Sequence, residues 1–311
     1  MKYTPIIIII AVLLTSACTT QDATKKSTEQ VTQPSTDTVK INPLNTTANQ
    51  TQTEITTETI SDTFENHQGN LTIYVISTFS TAVKLPTNEL IIIDAGTLTN
   101  AEKTLNTIKD IGYAQADTII LTNSISNRIG GVPLLMSRLK PTQGYHNGIG
   151  DENSEDYRYA KTWMSNLTKV GADTIILKEN IQLRLIVPYD DGTGFRSQPE
   201  QNSIIVKITY KDFSITFGSD CVGECEERTT TDSNLQAQIL TMPFQGRCES
   251  QTVSTYFINA VGAEINVGDH ICDTVQEKVG ISGKKTIDTQ EAMIAITSDG
   301  KTHSYYKTSK R

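Results

Sequence analysis

The sequence predicts an α/β fold of four layers, in which two β-sheets pack face to face and helices cover their outer faces. Aliphatic segments typical of strands alternate with segments of helical spacing along residues 67–311. This alternation occurs in two successive halves, each with strands and then helices, as an αββα sandwich requires. The length and apolar content of this region are sufficient for one hydrophobic core.

The first half opens with two strands, a helix and a third strand. Residues 71–76 alternate apolar and polar side chains like a half-buried strand, and residues 90–94 form a short aliphatic run. Helical spacing follows over residues 99–111, and residues 118–121 again have the composition of a buried strand. Further helices are predicted over residues 132–139 and 156–170, the second with Trp163 and Leu167 one turn apart on the same face.

The second half contains more strands than the first. Aliphatic and aromatic segments predict strands over residues 174–177, 183–187, 204–210, 213–217 and 238–242. Helical spacing predicts helices over residues 224–231, 253–260 and 273–279. We expect a last strand over residues 293–297 to close the domain.

Residues 1–18 have the pattern of a lipoprotein signal peptide. Lys2 supplies a positive charge, residues 6–14 form an apolar segment, and small residues precede Cys18. The segment is shorter than the about 20 apolar residues that a membrane span needs. We therefore expect lipidation of Cys18 and attachment to the extracytoplasmic face of a membrane in the cell envelope. A plain secretory signal is the alternative, because Thr15 stands where lipoprotein signals usually have Leu.

Residues 19–66 are rich in Thr, Ser, Gln, Asn and Glu, and nearly without aromatic side chains. This composition cannot bury a core, so we expect a disordered tether. The whole chain carries a net charge of -8 and its lysines are scattered. Nucleic acid is therefore not expected as a partner, because affinity for phosphate backbones depends on clustered Lys and Arg.

Short motifs follow one another in a fixed order along residues 67–311. They are LIIIDAG at 90–96, ADTIILT at 116–122, IGG at 129–131, NSIIV at 202–206, FGSD at 217–220 and TSDGKT at 297–302. In order and spacing they resemble the motifs of metallo-β-lactamase-fold hydrolases, in particular the ComEC-type competence domain and its stand-alone relatives. The resemblance implies the αββα sandwich and, in active members, a binuclear metal site.

The first metal-binding loop of that family is degenerate in this chain. Its pattern T-H-x-D-x-D-H-x-G-G corresponds to T-N-S-I-S-N-R-I-G-G at residues 122–131, which places Asn123, Ile125, Asn127 and Arg128 at ligand positions. Two divalent metals need several N and O donors. Asparagine is a weak neutral donor, isoleucine donates nothing and arginine brings a permanent cation. This loop is therefore not expected to hold the metal pair.

The second metal-binding loop is also degenerate, and two polar residues remain as candidates. The family's p-H-H-G-S becomes P-F-Q-G-R at residues 243–247, so Phe244 and Gln245 replace the paired histidines. Asp220 matches the bridging aspartate, and His270 is the candidate for a later histidine ligand. We expect a carboxylate beside Arg128 or Arg247 to form a charge-assisted hydrogen bond in place of metal ligation. A metal-free acid/base pair of Asp220 and His270 is the alternative.

Four cysteines accompany these landmarks, namely Cys221, Cys225, Cys248 and Cys272. In an extracytoplasmic domain an even number of cysteines predicts disulfides, here two with three possible connectivities. We favour Cys221 with Cys225, which is local, and Cys248 with Cys272, which joins neighbouring loops. The alternative is a tetrahedral zinc site that combines the thiolates with His270.

Three functional hypotheses follow from these observations. The first is a surface-anchored pseudoenzyme without a metal cofactor, which binds an envelope partner or ligand through the former active-site face. The second is a ComEC-type, metal-dependent hydrolase or nuclease with substitute ligands, zinc being the cofactor considered. The third is a structural envelope lipoprotein. The sequence identifies neither the partner nor the ligand.

Overall fold

The computed structural model describes residues 59–60, 69–77, 79–171, 174–189, 198–231, 234–248, 251–290 and 292–309. The predicted signal peptide with Cys18 lies outside the described residues, as does the tether apart from residues 59–60. Within the described ranges no helix is both long and apolar enough to cross a membrane.

The described residues form sixteen strands, which divide between two sheets. They are β1 (Thr59–Ile60), β2 (Leu71–Ser77), β3 (Ser80–Lys84), β4 (Leu90–Ile93), β5 (Thr118–Leu121), β6 (Gln143–His146), β7 (Thr168–Lys169), β8 (Thr174–Lys178), β9 (Ile181–Ile186), β10 (Ile205–Tyr210), β11 (Phe213–Phe217), β12 (Ile239–Thr241), β13 (Ile265–Gly268), β14 (Lys285–Asp288), β15 (Ala292–Ser298) and β16 (His303–Ser309). The first sheet has the order β1-β16-β15-β2-β3-β4-β5-β6-β7, and the second has the order β14-β13-β12-β11-β10-β9-β8.

Seven α-helices lie in the same part of the chain. They are α1 (Leu98–Asp110), α2 (Ser126–Ile129), α3 (Val132–Leu139), α4 (Glu155–Met164), α5 (Glu224–Thr229), α6 (Thr255–Val261) and α7 (Asp273–Ile281). Single 3-10 turns occupy Pro199–Asn202 and Pro243–Gly246. Side-chain oxygens of Thr97, Ser154 and Ser254 accept a backbone N–H in the first turn of α1, α4 and α6, which fixes where these helices begin.

Each sheet combines an antiparallel part with a parallel part. In the first sheet β15, β2, β3 and β4 are antiparallel neighbours, whereas β4, β5, β6 and β7 run parallel. In the second sheet β8 to β11 are antiparallel, and β11 to β14 run parallel. Parallel neighbours need long crossover connections, and these connections carry most of the helices.

Three hydrophobic clusters define the four layers and confirm the predicted αββα sandwich. The middle cluster joins the facing sheets, with Ile91 and Ile93 on one side and Leu183 and Leu185 on the other. The second cluster packs α1, α3 and α4 on the outer face of the first sheet, and the third packs α5, α6 and α7 on the outer face of the second. Because side chains of a strand alternate between faces, β4 contributes to the first two clusters in turn.

Several sequence predictions about elements are wrong. The predicted opening of two strands before the first helix omits β3, which lies between them, and β6, β13 and β14 were not predicted either. The helix predicted over residues 156–170 ends at Met164, and Thr168 and Lys169 form β7 instead. Pairing with β6 decides this segment, although Leu167 packs near the same helix face. The strand predicted to close the domain, now β15, is followed by β16, which pairs with it along its whole length. The polar residues of β16 gave no strand pattern in the sequence, because they are buried only through pairing within the sheet.

Candidate functional site

The degenerate motifs meet at the carboxyl ends of the parallel strands. Asp94 follows β4, the loop with Arg128 follows β5, Asp220 follows β11, and residues 243–247 and His270 follow β12 and β13. Strands in parallel register end at one edge of their sheet. Loops from both sheets therefore converge on one end of the sandwich, as the motif order predicts.

Arg128 is the centre of this cluster and is paired with two carboxylates. Its Nε and Nη2 atoms each lie 2.8 Å from one oxygen of Asp220, a bidentate arrangement. Its Nη1 atom lies 3.0 Å from Oδ2 of Asp94. The exposed fractions of Arg128, Asp220 and Asp94 are 5%, 1% and 1%. Bidentate, charge-assisted bonds of this kind are among the strongest hydrogen bonds in proteins.

Burial and pairing shift the pKa values of Arg128 and Asp94. Desolvation raises the pKa of Asp94 to about 6, and Arg128 and Thr122 only partly offset this increase. Burial by itself lowers the pKa of Arg128, but the negative charges of Asp220 and Asp94 raise it above its ordinary value. Arg128 is therefore a fixed cation in the centre of the site.

The other hydrogen bonds to Asp94 and Asp220 come from Thr122 and Asn123, at the start of the loop that contains Arg128. The backbone N–H and hydroxyl of Thr122 each donate to Asp94 at 2.7 Å. Because a hydroxyl has one proton, Ser219 donates to Thr122 across their 2.6 Å contact. The amide of Asn123 donates to Asp220 at 2.8 Å and to Ser203 at 3.0 Å. Asn123 thus supports the carboxylate from a position where the metal-binding motif that this loop resembles has a ligand.

Asp94 also belongs to this cluster. From the sequence it was considered only as part of the LIIIDAG motif. It follows an aliphatic strand and adopts a φ of 60°, which turns the chain toward α1. Glycine at position 131 allows its loop to approach the loop that follows Asp94. A Cβ on Gly131 would lie 2.4 Å from the carbonyl oxygen of Ala95, so this IGG position excludes any larger residue. The sequence feature that could have identified Asp94 as a site residue is its position directly after a buried strand.

Two other degenerate positions stay outside the cluster. Ile125 precedes α2, and its backbone N–H donates to Oδ1 of Asn123 at 3.0 Å. Asn127 is half-buried, and its Oδ1 atom has no hydrogen-bond partner among the described residues. The first loop therefore contributes a cation and one amide to the site, but no carboxylate and no imidazole.

The loop at residues 243–247 is held in an unusual backbone conformation. Phe244 and Gln245 have φ values of 45° and 63°, in the left-handed region that L-residues rarely adopt. Asp94, Ser219 and His270 have similar values, so five such residues lie in the converging loops. Strain of this kind costs on the order of 1 kcal/mol or more per residue and persists where the surrounding structure enforces it.

Arg247 lies at the edge of the site and differs from Arg128 in its environment. Its Nη2 atom pairs with Asp269 at 2.9 Å, and about a third of its side chain is exposed. The guanidinium carbons of Arg247 and Arg128 lie 5.8 and 5.3 Å from the ring centre of Phe79. Cation–π contacts therefore hold both arginines against the same aromatic side chain.

The structure does not bring His270 to Asp220. The side chain of His270 is 59% exposed, and its Nδ1 atom lies 3.1 Å from Asp269. Both oxygens of Asp220 accept hydrogen bonds from Arg128, and one also accepts from Asn123. Asp220 and His270 therefore have different hydrogen-bond partners and are not placed as an acid/base pair.

Two disulfides lie in the converging loops, in the connectivity favoured from the sequence: Cys221–Cys225 is local, and Cys248–Cys272 links two loops. Cys221 pairs with Cys225 directly after Asp220, and Cys248 pairs with Cys272 between the second and third loops. Cys221 and Cys225 are fully buried, whereas Cys248 is exposed. The second bond closes the longer loop and is worth about 3 kcal/mol by loop-entropy arguments. A thiolate zinc site would require both bonds to be reduced first.

A small cavity of about 40 Å³ lies beside the cluster, between the ends of the two sheets. Arg128, Asp94 and Gln245 line it together with small hydroxyl side chains and apolar residues of the strands. This volume is enough for a few water molecules and lies well below the usual range of small-molecule sites. The cavity therefore occupies the end of the sandwich where all the degenerate motifs meet.

The donors of this site do not fit a binuclear metal centre. Both oxygens of Asp220 bond to Arg128, which is itself a cation. No group of three or more His, Cys, Asp or Glu side chains in the described ranges is placed to hold a metal ion. Metals of this class need several anionic or imidazole ligands.

Comparison with known proteins gives matches to solved structures but none to the sequence. No protein-family model and no curated protein matches the sequence. A protein from Parabacteroides distasonis described as a metal-dependent hydrolase has a TM-score of 0.49 and 13% identity over 73% of this chain and 96% of that chain. The metallo-β-lactamase fold protein YhfI from Bacillus subtilis has a TM-score of 0.47 and 11% identity, over 71% and 96% of the two chains.

These similarities carry no argument about activity, because the identities and scores are low. The fold assignment rests on the two sheets, the outer helices and the three hydrophobic clusters. Together they define an αββα sandwich.

Replacing Asp94 with Asn is expected to change how stability depends on pH. The folded-state pKa of Asp94, about 6, lies above its ordinary value of 3.8, so the folded state binds this proton more tightly. The contribution of this proton to the free energy of unfolding is therefore fully present below pH 4 and is lost as the pH rises through 6. A shift of this size corresponds to on the order of 3 kcal/mol.

Urea unfolding of both proteins at pH 4 and pH 6.5 measures this difference. Asp94→Asn should lose the part of the pH dependence that wild type shows in this window. Asp110→Asn, at the exposed end of α1, is the control and should keep the wild-type dependence. An unchanged pH dependence in Asp94→Asn would contradict the assignment.

The two disulfides should differ in their reaction with a reducing agent. A water-soluble phosphine under native conditions is expected to open Cys248–Cys272, because Cys248 is exposed, and to spare Cys221–Cys225, which is fully buried. Alkylation followed by peptide mass spectrometry identifies the modified cysteines. Unfolding in denaturant should make all four reactive. Native labelling of Cys221 before Cys248 would show that the burial is not as described.

Proposed function

We propose that the protein is a surface-anchored, non-catalytic lipoprotein with a ComEC-like metallo-β-lactamase fold, which binds a ligand or partner at the former active-site face. The observation that carries the proposal is the bidentate pairing of Arg128 with Asp220. The guanidinium bonds to both oxygens of the carboxylate that would bridge two metals. A cation fixed to the chain thus takes over the charge-balancing role of the metals.

The energetics of the cluster support this proposal. Removing one partner of a buried ion pair costs about 3 to 5 kcal/mol, because the remaining charge stays buried. Metal binding at Asp220 would break two bonds to Arg128 and bring further cations beside it. The ligands then offered at the first-loop positions would be the amides of Asn123 and Asn127, which are weak neutral donors. Metal binding is therefore opposed by charge and by donor type.

A binding role is supported by what the site retains. The converging loops keep left-handed residues at five positions and are cross-linked by two disulfides. They surround a cavity that the Arg128 cluster does not fill. A purely structural lipoprotein would gain nothing from strained loops at this face, so we favour binding over the structural role.

The anchor in this proposal is the lipidated Cys18. The supporting observation is the positive residue, short apolar segment and small residues that precede this cysteine. The Thr-rich tether that follows would separate the folded domain from the membrane surface.

Cys18→Ala is expected to move the full-length protein from the membrane fraction to the soluble extracytoplasmic fraction of a bacterial host. The reason is that acyl chains supply the membrane affinity of a lipoprotein. Immunoblotting of the two fractions measures the distribution. Thr15→Leu, which restores the usual residue of a lipoprotein signal, is the matched control and should stay membrane-bound. Equal membrane retention of Cys18→Ala would exclude the lipid anchor.

The purified protein is expected to bind less than one equivalent of metal after incubation with excess Zn²⁺ or Mn²⁺ and removal of free ions. It should not hydrolyse a chromogenic phosphodiester under the same conditions. Elemental analysis and the hydrolysis assay are the two measurements, with an active metallo-β-lactamase-fold hydrolase treated in parallel. Two bound metals, or turnover that Asp220→Ala abolishes, would favour the hydrolase hypothesis instead.

A further inference from the structure

The strand β8 forms one edge of the second sheet. Among the described residues it pairs with β9 and with no other strand. Its side chains alternate between half-buried and exposed, and the two exposed ones are Ile175 and Leu177, at 51% and 70%. Two large apolar side chains therefore lie side by side on one face of an edge strand. Such an edge can accept a further strand.

The other edges of the two described sheets are protected against strand pairing. The edge strands β1 and β7 have two residues each, and β14 carries Lys285 and Asp288. Short length and charged side chains both discourage pairing with another chain. By contrast, β8 has five residues, and its one charged side chain, Lys178, lies on the opposite face from Leu177 and bonds to Glu89 at 2.8 Å. This edge therefore lacks the protection of the others.

The hairpin of β8 and β9 determines which backbone groups of β8 point outward. A turn of two residues joins Lys178 to its partner Ile181, and Glu179 in this turn has a φ of 51°. Positive φ values are required by the tight turns of such hairpins. The residues that flank a two-residue turn form a hydrogen-bonded pair, and hydrogen-bonded and non-hydrogen-bonded pairs then alternate along the ladder.

The outward backbone groups belong to the same two residues as the exposed apolar side chains. Ile176 is two steps from the turn pair and bonds to β9, whereas Ile175 and Leu177 occupy non-hydrogen-bonded pairs. The N–H and C=O groups of Ile175 and Leu177 therefore point away from β9. No backbone hydrogen bond outside the sheet engages them within the described ranges.

We propose that β8 is a dimerisation edge, at which β8 of a second copy of this chain pairs in antiparallel orientation about a two-fold axis at Ile176. In this register Ile175 of one protomer lies opposite Leu177 of its partner, and the same pair occurs twice. About four backbone hydrogen bonds then form between the protomers, and the apolar side chains contact each other across the strands. The proposal goes beyond the proposed function and does not depend on it.

A second copy is favoured as the occupant because this edge is complementary to itself. A two-fold axis at Ile176 brings together the outward backbone groups of Ile175 and Leu177 and pairs both apolar side chains. A shift by one residue would place these backbone groups opposite groups that point toward β9. A shift by two residues toward the turn would place Glu179 opposite Ile175. Only the register centred on Ile176 satisfies both the backbone and the side chains.

Charge and contact area are consistent with a weak dimer of this kind. Lys178 of one protomer would lie opposite Thr174 of its partner, and its charge is already paired with Glu89. No like charges therefore meet along the paired strands. A contact of five residues per protomer is small compared with the interfaces of stable dimers, so we expect a reversible association in the micromolar range.

The test is sedimentation velocity of the purified full-length Cys18→Ala protein over low to high micromolar concentrations, where a monomer–dimer equilibrium is expected. Leu177→Lys should raise the dissociation constant about tenfold or more, because a charge replaces an apolar contact twice in a two-fold dimer. Ile281→Lys is the matched control. It makes the same kind of change at a side chain that is 77% exposed at the end of α7, and it should dimerise like wild type.

Two further measurements test the register. Leu177→Pro removes an outward N–H and no hydrogen bond of the hairpin, so it should abolish the dimer and keep the fold, which circular dichroism checks. Hydrogen exchange followed by NMR should show amides of Ile175 and Leu177 that are protected only at high concentration. The amide of Ile176, which bonds to β9, should be protected at every concentration.

Four outcomes would overturn the proposal. They are a monomer at every concentration, equal dimerisation of Leu177→Lys and Ile281→Lys, wild-type dimerisation of Leu177→Pro, and slow exchange of the Ile175 amide in the monomer. The last result would show that another segment of the same chain covers the edge.

Discussion

The ion pair of Arg128 with Asp220 and Asp94 is the interaction on which the arrangement of this face depends. It joins loops that follow β4 and β5 in the first sheet to the loop that follows β11 in the second. All three side chains are almost completely buried, so separating them would leave charges without compensation in a medium of low polarity. The two halves of the sandwich are therefore coupled by buried charges at this end.

An arginine can replace one property of a metal centre but not the others. It supplies positive charge and fixed donor geometry, which hold carboxylates from different loops together. It has no open coordination position, and it does not lower the pKa of a bound water as a divalent metal does. Under the proposed function, Asn123, Arg128 and Gln245 at the ligand positions thus preserve the support of the loops without supplying a metal-bound nucleophile.

The disulfides and the strained backbone complement this ion pair. Cys221–Cys225 fixes the chain directly after Asp220, and Cys248–Cys272 joins the loops that contain Gln245 and His270. Covalent links can maintain left-handed residues such as Phe244 and Gln245, whose conformation is unfavourable in isolation. Gln245 lines the small cavity at this end of the sandwich, and its Oε1 atom has no hydrogen-bond partner among the described residues.

The sequence by itself determined the layers, because the periods of strands and helices are local properties. It placed α3 at Val132–Leu139 and the buried strand at Thr118–Leu121, and it located the degenerate ligand positions through short motifs. Only the tertiary structure decided that β16 is a strand, since polar residues are buried there by pairing with β15. Likewise, Asp94 joins Arg128, and His270 stays apart from Asp220, because distant loops converge. Such contacts between residues far apart in the chain leave no periodic signal in the sequence.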